Sequence, residues 1–513
     1  MGGGLLQLSI KGIEDNYLNN NPNINFFKKV YMRYTNFTMN SISVPCSNFS
    51  ILNGNLQNKS KRLPYNESSH FRVKVPRNGD LIDHVLLNLT LPDISSDDIK
   101  GFQYVDNLGT SIIKSASLYI EDTLIETITG EFLYAYYKLH NLKGKSNIFD
   151  NMAGSIPKES YIHHNNQLSS SNTLNKYYNG PPSIQSEKLS IPLYFCFSKI
   201  RGLALPLIAL KFHQVYIDIE LRPFRELFTI SETDSVSHTD SNNVVTSFNR
   251  KKIIKPPSDL DIESYYINQY WELNPQLEIN YIFLDNKERN LIVKSSEKYL
   301  IEQVRQFNIN NIDGLKNLEF EIYHPVKEMI IIPKRTDALL YNQRTNFTNL
   351  DYKNINDKDY QTFATDKIYT EPELKNLLDI WKFRNYSDIP SINNTNYQFY
   401  NKSIIESLDI YLDNMNRLEK KSSNYFTETQ KLKHYEGTKT DGILTYSFSK
   451  YPGKFQPYGF CNMSELDNLV LNVNLKEPSV YNESYKYDLS VYFVNYNILD
   501  IRNGMGGLMY GNK

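Results

Sequence analysis

The sequence predicts an all-β protein built from two large antiparallel sandwiches. Composition is the first reason: 513 residues include only 7 Ala but 39 Tyr and 26 Phe, poor in helix formers and rich in side chains that suit a pleated surface. Period-two alternation of apolar and polar residues, broken by turn signals, is the second. The third is 59 Asn, whose side chain bonds the local backbone and tolerates positive φ, as turns require. At roughly 150 residues per domain the length allows three domains, but sandwiches of roughly 200–250 residues make two fit as well.

The elements follow in chain order. Phe71, Val73 and Val75 alternate with Arg72 and Lys74, then Pro76-Arg77-Asn78-Gly79-Asp80 turns the chain. Val85, Leu87, Leu89 and Leu91 return, alternating with Leu86, Asn88 and Thr90. Asn-Gly between alternating runs is a hairpin signal. A second hairpin is predicted from Ser115 to Ile128, turning at Glu121-Asp122. Helix is scarce. Glu131–Leu142 sets Phe132, Tyr136 and Leu139 near one face, and Pro372–Arg384 does the same with Leu377, Ile380 and Trp381. Both read as packing elements against a sheet edge.

Asn147–Ser186 and Ser231–Asp261 read as polar loops. The second separates two β-rich blocks, so it is the expected linker; its Arg250, Lys251, Lys252 and Lys255 read as a solvated cluster. The blocks echo each other. Tyr194–Lys199, a Gly/Pro connection and the alternation of Val215, Ile217, Ile219 and Leu221 are matched about 250 residues later. There Tyr446–Lys450 and Pro452-Gly453 precede Leu469, Leu471, Val473 and Leu475. That order suits two stacked copies of one sandwich.

Chemistry is not signalled. Net charge is −1, so no bulk field draws the chain to phosphate backbones or anionic lipid. Cys46, Cys196 and Cys461 lie far apart and read as buried free thiols in a reducing setting. No apolar run reaches the roughly 18 residues a membrane span needs. The opening residues lack the pattern of a signal peptide, and Leu6 breaks the myristoylation pattern. Gly144-Lys145-Ser146 resembles the end of a phosphate loop, but Leu139 stands where its first Gly belongs. Gly504–Gly507 reads as a flexible terminal segment. His163-His164 points apart in an extended chain and makes a poor metal pair. His84, His213 and His324 read as structural donors, and Asp97-Asp98 as surface. Asn-X-Ser/Thr sequons such as Asn66, Asn346 and Asn462 are numerous, as chance predicts with this much Asn. No catalytic residue, metal or cofactor is expected.

A wider pattern spans the chain. Gly2-Gly3-Gly4-Leu5-Leu6-Gln7-Leu8, Asn21-Pro22 and Phe26-Phe27-Lys28 with Tyr31, Arg33 and Tyr34-Thr35-Asn36-Phe37 resemble the opening of the major capsid proteins of nucleocytoplasmic large DNA viruses. Arg77–Ile82 and Gly202–Leu210 with His213 are similar to segments of the same family's first half. Tyr281–Asp285, Glu288-Arg289 and Glu297–Gln303 are read as opening its second half. Cys461-Asn462, Asp467-Asn468, Asn495-Tyr496-Asn497 and Gly504–Leu508 are similar to its end.

The resemblance implies a double jelly roll, two eight-stranded antiparallel sandwiches in one chain, with short helices in the connections. On this reading 1–25 is an N-terminal arm, 26–225 the first jelly roll, 226–265 an extended connection, 266–502 the second jelly roll and 503–513 a tail. It further implies a homotrimer that forms a pseudo-hexameric capsomer of an icosahedral shell, assembled in the host cytoplasm. Neighbouring capsomers, minor capsid and penton proteins and an internal membrane layer are the implied partners, without sequence-specific nucleic acid. The segments 147–186 and 333–400 are candidates for outer towers and intersubunit contacts, and the arm for the inner face. The alternatives are a minor or spike-associated capsid paralogue of the same fold and a carbohydrate-binding β-sandwich. Trp271 and Trp381 give the latter no clear aromatic platform.

Overall fold

The computed structural model describes residues 34–46, 62–94, 100–154, 184–239, 245–254, 256, 270–349, 403–413, 415–438, 442–476 and 485–511. The arm, the helix expected at 372–384, His163-His164, Asp97-Asp98 and most of 147–186 and 333–400 lie outside these residues. The chain separates into Met1–Phe37 and Thr38–Lys513, and the second unit holds both sandwiches.

The two sandwiches share one strand order. In the first, one sheet runs Phe37–Pro45, Gln276–Leu284, Leu81–Thr90, Lys188–Pro192, and the other runs Ser69–Lys74, Val215–Leu221, Ile113–Ile120, Thr123–Ile128. In the second, the sheets run Glu297–Ile312, Tyr487–Arg502, Pro325–Arg335, Leu444–Ser447 and Leu315–Phe320, Leu469–Leu475, Ile405–Leu412, Met415–Ser422. Ranked along the chain, each set of eight reads 1-8-3-6 in one sheet and 2-7-4-5 in the other. The echo seen in the sequence falls on the seventh strand of each copy. Both seventh strands bury every second residue, with half-exposed residues between. Each sits between the second and fourth strands: Ile217 lies opposite Val73 and Leu118, and Leu471 opposite Leu318 and Ile410.

This topology corrects the expected boundary. Tyr281–Leu284 does not open the second half. Gln276–Leu284 is the eighth strand of the first sandwich, held against Leu81–Thr90 in antiparallel register. Trp271 likewise pairs with Leu63 of the first sandwich. The eighth strand of this fold slots between the first and third, so its partners are remote in sequence and leave no local cue. Ser231–Asp261 is not a plain linker either. Phe228–Thr239 and Val245–Ile254 form a hairpin continued by Lys100–Tyr104. Residues 147–152, expected in a loop, finish a helix at Lys143–Met152. The helix Asn286–Lys294 joins the two sandwiches.

The central strands of the second sandwich lack alternation, and burial gives the reason. Pro325–Arg335 and Tyr487–Arg502 are buried along nearly their whole length. Met329, Ile331, Val491 and Phe493 enter that sandwich's own core. Ile330, Ile332, Tyr492 and Val494 face the other way, into a core shared with the first sandwich. A sheet covered on both faces reads as a continuous apolar run. Truncation should therefore be severe in this sheet. Phe493 is fully buried, with ring centroids of Phe307 and Phe320 at 5.8 and 5.6 Å. Phe493→Ala is expected to cost about 3–5 kcal/mol, read as a lower denaturant midpoint.

Candidate functional site: the charged seam between the sandwiches

The helix Gly130–His140 carries the first sandwich into the seam. Thr129 caps it, its hydroxyl accepting from the Phe132 amide at 3.3 Å. The Thr129 hydroxyl also meets the Tyr492 hydroxyl of the second sandwich at 3.0 Å, and the Phe132 and Tyr492 rings lie 5.5 Å apart. At the other end of this helix the fit is backbone to backbone. The Thr438 amide donates to the Lys138 carbonyl at 2.9 Å. Gly437 lies so close that a Cβ there would stand 2.0 Å from the same oxygen.

A chain of buried charges crosses the join. Lys199 of the first sandwich donates to Glu302 Oε2 at 2.7 Å. Lys327 Nζ reaches Glu302 Oε1 at 2.6 Å and the Pro452 carbonyl at 2.7 Å. Glu328 follows, its Oε1 3.2 Å from His140 Nε2, and its Oε2 accepting from the Tyr435 hydroxyl at 2.9 Å. Burial alone would raise the carboxyls of Glu302 and Glu328. For Glu302 the charges of Lys199 and Lys327 outweigh it and hold the group below the usual range. For Glu328, His140 and Lys327 do the same, bringing it to about 2.

Glu126 stands beside this chain under different terms. Its Oε2 accepts from the Cys196 amide at 2.8 Å, while Oε1 has no hydrogen-bond partner among the described residues. Burial dominates there and pushes the carboxyl up to about 7, against the pull of Lys199. A second cluster lies nearby. Glu131 pairs with Lys334 and sits 3.8 Å from Arg222. Beyond it, Asn342 of the second sandwich donates to the carbonyls of Arg225 and Phe228 at 2.6 and 2.7 Å, and Arg344 pairs with Glu226.

The C-terminal residues strap the opposite side. Met505–Leu508 pairs with Tyr487–Arg502, so Gly504–Gly507 is not a loose tail. The Phe212 amide donates to the Gly504 carbonyl at 3.0 Å, and His213 Nδ1 lies within 3.2 Å of the Gly506 amide. A Cβ at Gly504 or Gly506 would meet Phe212 or Leu210 at 2.7 Å, and Gly504 holds φ near +83°. These glycines serve a close approach.

The remaining candidates stay apart. Gly144-Lys145-Ser146 lies in the helix Lys143–Met152. His84 sits half-exposed beside Asp83, and the His324 amide donates to Ser464 Oγ at 2.8 Å. Cys46 and Cys196 are buried, and burial raises the Cys46 thiol to about 12. Trp271 is buried, stacked on Phe224 at 4.7 Å, so it offers no sugar platform. Among the described residues no group of three His, Cys, Asp or Glu side chains is placed to hold a metal, and no helix is long and apolar enough to cross a membrane. The sequence reading does not bring Glu126, Glu302, Lys327 and Glu328 together as buried charges. The signal available was charge set within apolar strands, as in Pro325–Arg335.

Comparison with known proteins agrees with this architecture. Residues 25–285 match the family described as "major capsid protein N-terminus", and residues 288–507 match "large eukaryotic DNA virus major capsid protein". The chain is 28% identical over 513 residues to a major capsid protein of Pyramimonas orientalis virus, and 26% identical over 584 residues to that of Phaeocystis pouchetii virus, with 100% of each chain covered. It superposes on a chain of the quasi-atomic PBCV-1 virus capsid with a TM-score of 0.61 at 21% identity, covering 95% of this chain and 100% of that one. For the Faustovirus major capsid protein the TM-score is 0.60 at 12% identity, covering 96% and 94%. The latter two likenesses show the fold, a double jelly roll. With both halves matched in order and both carrying one strand order, the chain belongs to the major capsid protein family of large eukaryotic DNA viruses, and its role is a structural one in the virion capsid.

Proposed function

We propose that this chain is the main brick of the outer shell, three copies closing into a capsomer of near-hexagonal outline. The supporting observation is the repeated strand order, joined through a sheet buried on both faces. Two similar wedges per chain give six per trimer, and a stiff join sets the angle that symmetry converts into closure. In this reading the first wedge spans 37–284 and the second 297–508, with the helix Asn286–Lys294 between them. Neighbouring capsomers, minor capsid and penton proteins and an internal membrane layer are its proposed surroundings, and the host cytoplasm its site of assembly. The role asks nothing of a catalytic centre, and the chain is read as a non-enzyme.

Sedimentation of the purified full chain tests this. A stable species of three chain masses is expected, persisting on dilution. A monomer at every concentration overturns the reading. In purified particles the chain should dominate the protein content; a trace amount would identify a minor paralogue instead.

A further inference from the structure

We propose that the seam is a proton-operated latch. Glu126, when neutral, lets Thr123–Ile128 and Glu297–Ile312 close on each other; when ionised, it loosens that join. The latch lies within one chain, so its test is independent of the assembly reading.

The geometry sets up the switch. Glu126 is 3% exposed, on the edge strand of the first sandwich. Across the join, the Gln303 side chain donates to the carbonyl of Ile125, its neighbour. The groups facing Glu126 are Cys196 and Lys199 from the connection behind it and Glu302 from the second sandwich. Tyr136 from the helix and Tyr496 from Tyr487–Arg502 sense the same charges. Lys199 is already committed to Glu302, which is shared with Lys327, which in turn approaches Glu328. Two lysines thus face two fixed carboxylates, and a charge on Glu126 is left over. His140 lies beside Glu328, at the far end of the chain of charges, and is not among the groups that face Glu126. The unpartnered Oε1 has no donor to receive that charge. An uncompensated buried anion opens the structure towards water.

The sign follows from burial. The Glu126 carboxyl is raised from 4.5 to about 7. A raised group adds stability that is complete below its unfolded value and disappears as pH rises through the folded one. The join is therefore tightest below about 4.5, loses its hold as pH rises through about 7, and changes little beyond that.

Backbone hydrogen exchange on the full chain reads this directly. After correction for the intrinsic rate, protection along Thr123–Ile128 and Glu297–Ile312 should fall about tenfold from pH 6 to pH 8, the loss expected across one midpoint near 7. Glu126→Gln, which cannot ionise, should keep the pH 6 protection throughout, and His140→Gln should retain the wild-type fall. Equal protection at both pH values in the wild type overturns the latch. So does a fall that survives in Glu126→Gln, or one abolished only by His140→Gln. If Glu126→Gln does not fold, the wild-type Cys196 amide resonance decides, because that amide bonds Glu126. It should titrate with a midpoint near 7; a resonance unmoved from pH 6 to 8 ends the proposal.

Discussion

Glu302→Ala is expected to be among the most damaging single changes in the described chain, lowering stability by about 3–5 kcal/mol. Glu302 is the shared anion of Lys199 and Lys327, both nearly fully buried. Removing it leaves two ammonium groups with no counter-charge in a place water does not reach. The loss should exceed that for Lys327→Met, which removes one charge and keeps the hydrophobic stem. Lys454 and Glu436 supply the contrast: their side chains are 55% and 57% exposed at 3.1 Å. Severing that pair should change stability by about 0–1 kcal/mol, because solvent and salt screen it. Denaturant midpoints of the three variants check the order. The acid limb should move too. Glu302 and Glu328 are both held low, so their contribution is complete above about 4.5 and disappears as pH falls through their lowered values, about 2 for Glu328. Glu302→Ala should flatten that limb.

Gly437→Ala is the second large expectation, because it acts on the join alone. The added Cβ would stand 2.0 Å from the Lys138 carbonyl and 2.3 Å from that of Leu139. Both are backbone atoms inside a helix and cannot rotate away. The relief is to move the helix from the loop, which separates the sandwiches while leaving each sheet intact. A loss of about 3 kcal/mol is expected, near the top of the overpacking range. Calorimetry should then resolve two transitions, against a single one expected for the parent chain. Gly144→Ala is the control, since a Cβ there meets nothing within 4 Å. A single unshifted transition in Gly437→Ala would falsify the view that the helix and loop lock the two halves.

Much of the fold was legible in the sequence where one face of a strand meets solvent. Phe71–Val75, Val85–Leu91, Val215–Leu221 and Leu469–Leu475 show the alternation and form strands. The first two are not, however, the hairpin expected at Asn78-Gly79. Ser69–Lys74 pairs with Val215–Leu221 and Leu81–Thr90 crosses to the opposite sheet, because the second and third strands of this fold belong to different layers. The turn at Glu121 was legible as well, and Glu121 takes φ +54° there. Tyr487–Arg502 hid its period, because both of its faces are covered. Gln276–Leu284 misled for another reason: its partners are decided by the order of closure, about 190 residues away in the Asn88 to Glu278 side-chain bond. The seam was least legible. Lys327 and Glu328 are adjacent charges of a kind usually solvated, yet Lys327 turns in to Glu302 and the Pro452 carbonyl of its own half and Glu328 to His140 of the first.

The two-faced sheet has a consequence during synthesis. Once Leu284 has left the ribosome, the first sandwich has every strand it needs. Phe132 on its flank then waits, greasy and without the ring that packs on it, until Tyr492 is translated some two hundred residues later. Over that interval the nascent polypeptide presents the kind of sticky surface that chaperones shield, and early termination of translation would strand it there.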